Sequence, residues 1–229
     1  MTIVLFIALV VASYSILYAS ARLGRETILV MLSFLCTLSF LFATKIIVIA
    51  GFPLVPSAPL VAVIFYSGTI LQEFFGARES RKLLYINLGT MIVFTGLGTL
   101  VRLMDLYPDA VPSQVALGNA YDTIMGFYPQ ALCAALAAFS TAYVLNVVLA
   151  KTLHKIFGNR LFPLRSFITV AIANLWDIGA FVTLAYVWSD ASMNTIMTTW
   201  VVRLICIAAG IPVLWLIKRH FRAQNITAL

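Results

Sequence analysis

Lys45, Glu73, Asp177 and Arg203 are four ionisable residues set within long apolar stretches of this chain. Two acids and two bases in such surroundings balance, and each would cost about 2.5–3.5 kcal/mol if left alone at the centre of a bilayer. The balance predicts that they pair around one polar interior. Asp177 stands deepest in its stretch. Asn174 precedes it by three residues and Phe181 follows by four, so all three share one helical face, while the adjacent Trp176 points elsewhere. A carboxylate beside an amide can accept and donate hydrogen bonds at one edge of a small polar solute. A structural salt bridge between two helices is the plainer use of the same residue. Arg203 is a plausible partner of Asp177 or an anchor for a polar ligand. Gln72 borders the face that Thr69 and Glu73 share. Glu73 either joins a ligand site or pairs with Arg78 or Arg81 at the membrane interface, and Lys45 either faces the interior or snorkels. Tyr143 and Asn146, three apart, can face the same interior, although isolated polar residues also serve as helix–helix glue. Arg102, at a span end, is discounted as a snorkelling residue.

The elements that hold these residues follow from composition. Of 229 residues, 62% are hydrophobic and 10% charged, and the mean hydropathy is +1.03. Soluble domains run at about 45–50% apolar and about 25% charged. The class is therefore all-α, a polytopic helical membrane protein, with residues 1–229 forming one integral membrane domain. Seven apolar stretches are long enough to count as spans: 3–19, 28–52, 59–75, 83–103, 127–150, 166–188 and 195–217. The third is short and follows a loop with Pro53, Pro56 and Pro59. The first could be a signal peptide, but it lacks a charged start and is kept as a helix. Residues 104–126 are expected to be a loop carrying Asp105, Asp109 and Asp122.

The net charge of +7 is explained by loops rather than by nucleic acid. All of the fifteen basic residues except Lys45, Arg102 and Arg203 follow the first, third, fifth and seventh spans. Alternation of this kind places the N-terminus outside and the C-terminus inside, in a bacterial cytoplasmic membrane. Cys36, Cys133 and Cys206 stand apart, without metal-ligand spacing, and are read as small core residues. His154 and His220 are expected to be solvated residues of basic loops. No nucleophile, metal or phosphate-loop motif is present, so no enzyme and no cofactor are expected. Ala8 and Ala12 form a small-xxx-small pair in the first span.

Two stretches resemble a known family. FYSGTILQEFFGARESRKLLY, residues 65–85, is similar to the Glu-aromatic-aromatic-Gly step and basic loop of queuosine-precursor transporters, the VUT family; Glu73, Gly76, Arg78, Arg81 and Lys82 match. RSFITVAIANLWDIGAF, residues 165–181, resembles that family's later Asn/Gln-x-x-Asp-x-x-x-Phe helix through Asn174, Asp177 and Phe181. Arg203 and Pro212 align with a basic residue followed by Pro, and Lys45 with a basic residue of the first core helix. Where the family has Asp one turn before Glu73, this chain has Thr69; Tyr143 and Asn146 stand for a Gln and an Asp. The resemblance covers residues 28–220 and leaves 1–20 as an extra N-terminal helix. It implies a six-helix core akin to the substrate-binding subunits of energy-coupling-factor vitamin transporters. It further implies import of a 7-deazaguanine or similar purine-like solute by Asp177, Asn174, Glu73, Gln72, Arg203, Asn146, Tyr143 and Lys45. A stand-alone importer, a homodimer and a binding subunit docked on an ATPase coupling module all remain open.

Overall fold

A bilayer core of about 30 Å asks for about 20 apolar residues per helix, because no backbone group can be left to water there. The computed structural model describes residues 1–49, 51–105, 107, 111–158, 161–185 and 193–224. Asp109, Arg160 and the expected end of the sixth span at Trp188 lie outside the described residues. Seven helices are long and apolar enough to cross a membrane, so the chain is an all-α multi-pass membrane protein. The helices are α1 (Thr2–Leu23), α2 (Arg25–Phe42), α3 (Ala58–Phe75), α4 (Ala77–Arg102), α5 (Pro112–Phe157), α6 (Phe162–Ala185), α7 (Met193–Ala209) and α8 (Ile211–Ala223).

The turns at one end are as short as a turn can be. Gly24 joins α1 to α2 at φ 110° and Gly76 joins α3 to α4 at φ 91°, backbone values that a side chain would strain. These two turns lie side by side, with Arg25 3.6 Å and Lys82 2.8 Å from the Glu79 carboxylate. The start of α6 and the end of α8 reach the same end through Phe74, which stacks on Phe162 and Phe221 at 5.4 and 4.5 Å. We call this the basic end. The opposite end carries a small antiparallel hairpin, β1 (Ile47–Ile49) and β2 (Phe52–Leu54), pairing Ile47 with Leu54 and Ile49 with Phe52.

That hairpin corrects the second span, which ends at Phe42 rather than at Phe52. Four consecutive β-branched residues, Ile46–Ile49, favour extended backbone as strongly as they favour lipid. A second correction concerns 104–126. Helix begins at Pro112, where the missing N–H costs nothing, and runs unbroken for 46 residues to Phe157. At about 1.5 Å per residue such a helix is about 69 Å long, so its first turns extend past the span that begins at Ala131. The cysteines divide: Cys36 and Cys206 are buried, but Cys133 is exposed on the outer face of α5.

α3 is the axis of the bundle. All but Val61, Gln72 and Phe75 of its 18 residues are buried, and it packs against α1, α2, α4, α5, α6 and α7. A helix carrying Thr69, Gln72 and Glu73 cannot face lipid, and its place in the middle follows from that.

The last span divides at Gly210. The Gly210 N–H bonds the Ile207 carbonyl at 3.0 Å, so the Cys206 carbonyl loses its helical partner. Tyr14 Oη donates to Cys206 O at 2.6 Å and Tyr66 Oη to Ile207 O at 2.7 Å. A Cβ at Gly210 would stand 2.6 Å from the Tyr66 ring and 2.7 Å from the Tyr14 ring. Gly210→Ala is therefore expected to lower stability by about 1–3 kcal/mol through overpacking. Gly89→Ala, with nothing within 4 Å of its Cβ position, is expected to be neutral or slightly stabilising. Thermal unfolding of the two purified variants against the parent checks both.

Candidate functional site

The membrane interior holds two acid–base pairs, and they stand apart. Near the hairpin end, Arg203 Nη1 on α7 donates to Asp177 Oδ2 on α6 at 2.7 Å, each side chain 12% exposed. At the basic end, Arg165 Nη2 in the first turn of α6 donates to Glu73 Oε1 near the end of α3 at 2.5 Å. His154 Nδ1 on α5 lies 3.4 Å from Glu73 Oε2. Arg165 and Asp177 are twelve residues apart on one helix, a separation of about 18 Å. The expected single polar interior is thus two. Four charges cannot meet when one acid sits at the end of α3 and the other lies about four turns into α6.

Each pair lines its own cavity. The Asp177–Arg203 cavity measures about 90 Å³ and is bordered by Cys36, Ser39, Phe40, Phe139 and Phe181. The Glu73–Arg165 cavity measures about 310 Å³ and is bordered by Thr69, Gln72, His154, Phe162 and Ser166, with Lys151 and Lys155 at its rim. Small-molecule pockets generally begin at about 300 Å³, and one water takes about 30 Å³ of liquid volume. The first cavity has room for about three waters; the second has room for a small solute.

The remaining candidates lie on the walls or between the cavities. Asn174 is fully buried; its Nδ2 donates to Val170 O at 3.1 Å and its Oδ1 has no protein partner. Asn146 donates to Phe65 O at 3.3 Å and also keeps an unpaired Oδ1. Tyr143 Oη donates to Ser80 O at 2.9 Å, which ties α5 to the start of α4. Gln72 Nε2 donates to Val147 O at 3.1 Å. Lys45 falls in the exposed turn after α2 and borders neither cavity. It left the span when α2 ended at Phe42. Glu73 does not use Arg78 or Arg81; Arg165 and His154 hold it instead.

Arg165 and His154 are the functional residues that loop reasoning missed. Both look like ordinary basic-loop residues, yet Arg165 is 3% exposed and His154 lies inside α5. His220, too, is helical rather than in a loop, half-buried beside Phe221 in α8. One sequence signal for Arg165 exists. A cation in the first turn of a helix opposes the helix dipole, so Arg165, two residues after Pro163, calls for a buried acid from elsewhere.

Residues 57–217 match the family described as "Putative vitamin uptake transporter". The chain belongs to this family. It is a membrane transporter, and both α1 and α2 precede the matched stretch. It is also similar to a Bacillus subtilis (strain 168) protein named "Probable queuosine precursor transporter", 24% identical over 200 residues, 86% of this chain and 85% of the relative. No solved structure matches it.

The transporter's Asp177–Arg203 pair makes a direct stability test. Removing one member of a buried pair strands the other, at a cost of about 3–5 kcal/mol, whereas replacing both by apolar residues often costs little. Arg203→Met alone is expected to be strongly destabilising, and Asp177→Leu with Arg203→Met to recover most of the loss. A double-mutant cycle of unfolding midpoints in detergent measures the coupling.

Proposed function

We propose that this transporter imports a queuosine precursor, 7-cyano-7-deazaguanine or 7-aminomethyl-7-deazaguanine, or a similar purine-like solute, recognised at Asp177. The observation that carries the reading is the intramembrane carboxylate–guanidinium pair in a cavity walled by Phe40, Phe139 and Phe181. A guanine-like edge offers adjacent N–H donors, which a carboxylate accepts in place of an arginine. Aromatic rings supply the faces against which a flat bicycle packs. The relative's name gives the same substrate class, and the resemblance at Asp177 and Phe181 falls on this wall, with Asn174 next to it on α6.

At about 90 Å³ the cavity is too small for a bicycle while the pair is closed. Binding therefore exchanges Arg203 for the solute as the partner of Asp177. Asn174, one turn away on α6, brings its unpaired Oδ1 to the same region of the helix. The clustering of Lys and Arg at one end supports an N-terminus outside and a C-terminus inside a cytoplasmic membrane. The core is read as the six helices after α1.

The purified chain alone in proteoliposomes is expected to take up 7-cyano-7-deazaguanine without any ATPase. Asp177→Asn keeps a partner for Arg203 but loses the charge. A hydrogen bond to a charged group is worth about 1.5–3 kcal/mol, so initial uptake is expected to fall about 10- to 100-fold. Wild-type uptake by monodisperse Asp177→Asn protein would remove Asp177 from the site.

A further inference from the structure

We propose that the cavity at the basic end is a second binding station. Its ligand is a flat, uncharged ring that carries an N–H donor and a carbonyl-type acceptor along one edge, held by Gln72 and Arg165. The proposal rests on the import reading above and adds a place where the solute halts after leaving Asp177.

Several polar groups in the lining are already used. The Glu73 carboxylate takes Arg165 and His154. Thr69 Oγ1 donates to Tyr66 O, and Thr169 Oγ1 to Arg165 O. Two buried atoms among these residues have no partner: Gln72 Oε1 and Arg165 Nη1. The amide orientation of Gln72 is fixed by chemistry, because the Val147 carbonyl that it meets can only accept. Oε1 is therefore an acceptor left open, and the guanidinium nitrogen a donor left open. An unmet buried polar group is costly in a low-dielectric site.

These two atoms choose between ligand classes. An inorganic anion would satisfy Arg165 and leave Gln72 Oε1 unpaired. A cation would satisfy Gln72 but face Arg165, Lys151 and Lys155, against which only Glu73 counts. A lactam edge, with its N–H beside its C=O, meets both. Phe162 borders the same cavity and lies under the Arg165 guanidinium, 5.9 Å from charge centre to ring centroid. It offers an apolar face for a ring. The volume of about 310 Å³ takes such a ring without rearrangement, which the Asp177 cavity does not.

The two stations are separated by a packed layer of rings. On α3, Ile64 borders the first cavity and Thr69 the second, with Phe65 between them. On α5, Phe139 borders the first and Ala150 the second, with Tyr143 and Asn146 between them. Phe65, Phe139 and Tyr143 stack on one another at 5.6–6.2 Å.

The test uses the full chain with Cys36, Cys133 and Cys206 replaced by alanine and Ala150→Cys added as a reporter in the cavity wall. Saturating 7-cyano-7-deazaguanine, at about ten times its dissociation constant, is expected to slow maleimide labelling of that cysteine about tenfold. Protection is expected to persist in Asp177→Asn and to vanish in Gln72→Leu. Thermal shift with the same compound, on the chain with its native cysteines, is expected to persist in Asp177→Asn and to vanish when Gln72→Leu is added to it, and covers the case where the cysteine replacements fail to fold. Protection lost in Asp177→Asn but kept in Gln72→Leu would overturn the proposal. So would protection by inorganic phosphate and not by the heterocycle, or no protection in protein that imports the compound; in that last case the import reading survives. Protection without uptake supports the station and defeats the import reading.

Discussion

A lipid bilayer solvates neither charges nor open backbone groups, and the whole arrangement of this transporter answers to that constraint. The helix that carries Thr69, Gln72 and Glu73, α3, has the central place, and lipid touches the apolar outer faces of α1, α2 and α4. Each intramembrane acid has a base within hydrogen-bond reach. Where the last span breaks at Gly210, the freed carbonyl of Cys206 is taken by Tyr14, and Tyr66 adds a second donor at the Ile207 carbonyl that Gly210 already uses. The break is thus anchored by the first helix and the axis of the bundle together. α1 serves this junction directly, although it precedes the stretch that matches the family.

Much of this is legible in the chain. Span lengths follow from hydropathy, and the pairing of Asp177 with Arg203 follows from the cost of an isolated charge. The failures share one cause: apolar or basic character admits more than one local structure. Ile46–Ile49 suits a strand as well as a helix, so the hairpin and the displacement of Lys45 are invisible to hydropathy. Arg165 and His154 look like solvated loop residues by composition, and the position of Glu73 in space is what sets them apart from Lys155. Proximity across helices, α3 to α6 and α5, is a tertiary fact that no local pattern encodes.

The ion pairs also explain why the two cavities differ in size. At the hairpin end the guanidinium reaches in from α7, which packs against β2, and fills the space beside Asp177. At the basic end the guanidinium comes from α6 itself and lies along the wall with Phe162, leaving the middle of the cavity clear. The same chemistry, a carboxylate with an arginine, borders a small chamber at one end and a larger one at the other.

Four helices are common to both chambers. α3 gives Ile64 to one and Thr69, Gln72 and Glu73 to the other; α4 gives Met91 and then Ala77; α5 gives Phe139 and then Ala150 to His154; α6 gives Asp177 and then Arg165. α7, with Arg203, belongs to the first chamber only. A movement of α7 relative to α6 would change the first chamber without touching the second, because none of the residues around Glu73 is on α7. Conversely, a shift of α3 along its axis would alter both, since it carries walls of each. The Gly210 break lies where α7 joins the rest of the last span, and the two tyrosines that seal it come from α1 and α3. The geometry therefore separates α7, which borders the Asp177 chamber alone, from the helices that frame both chambers.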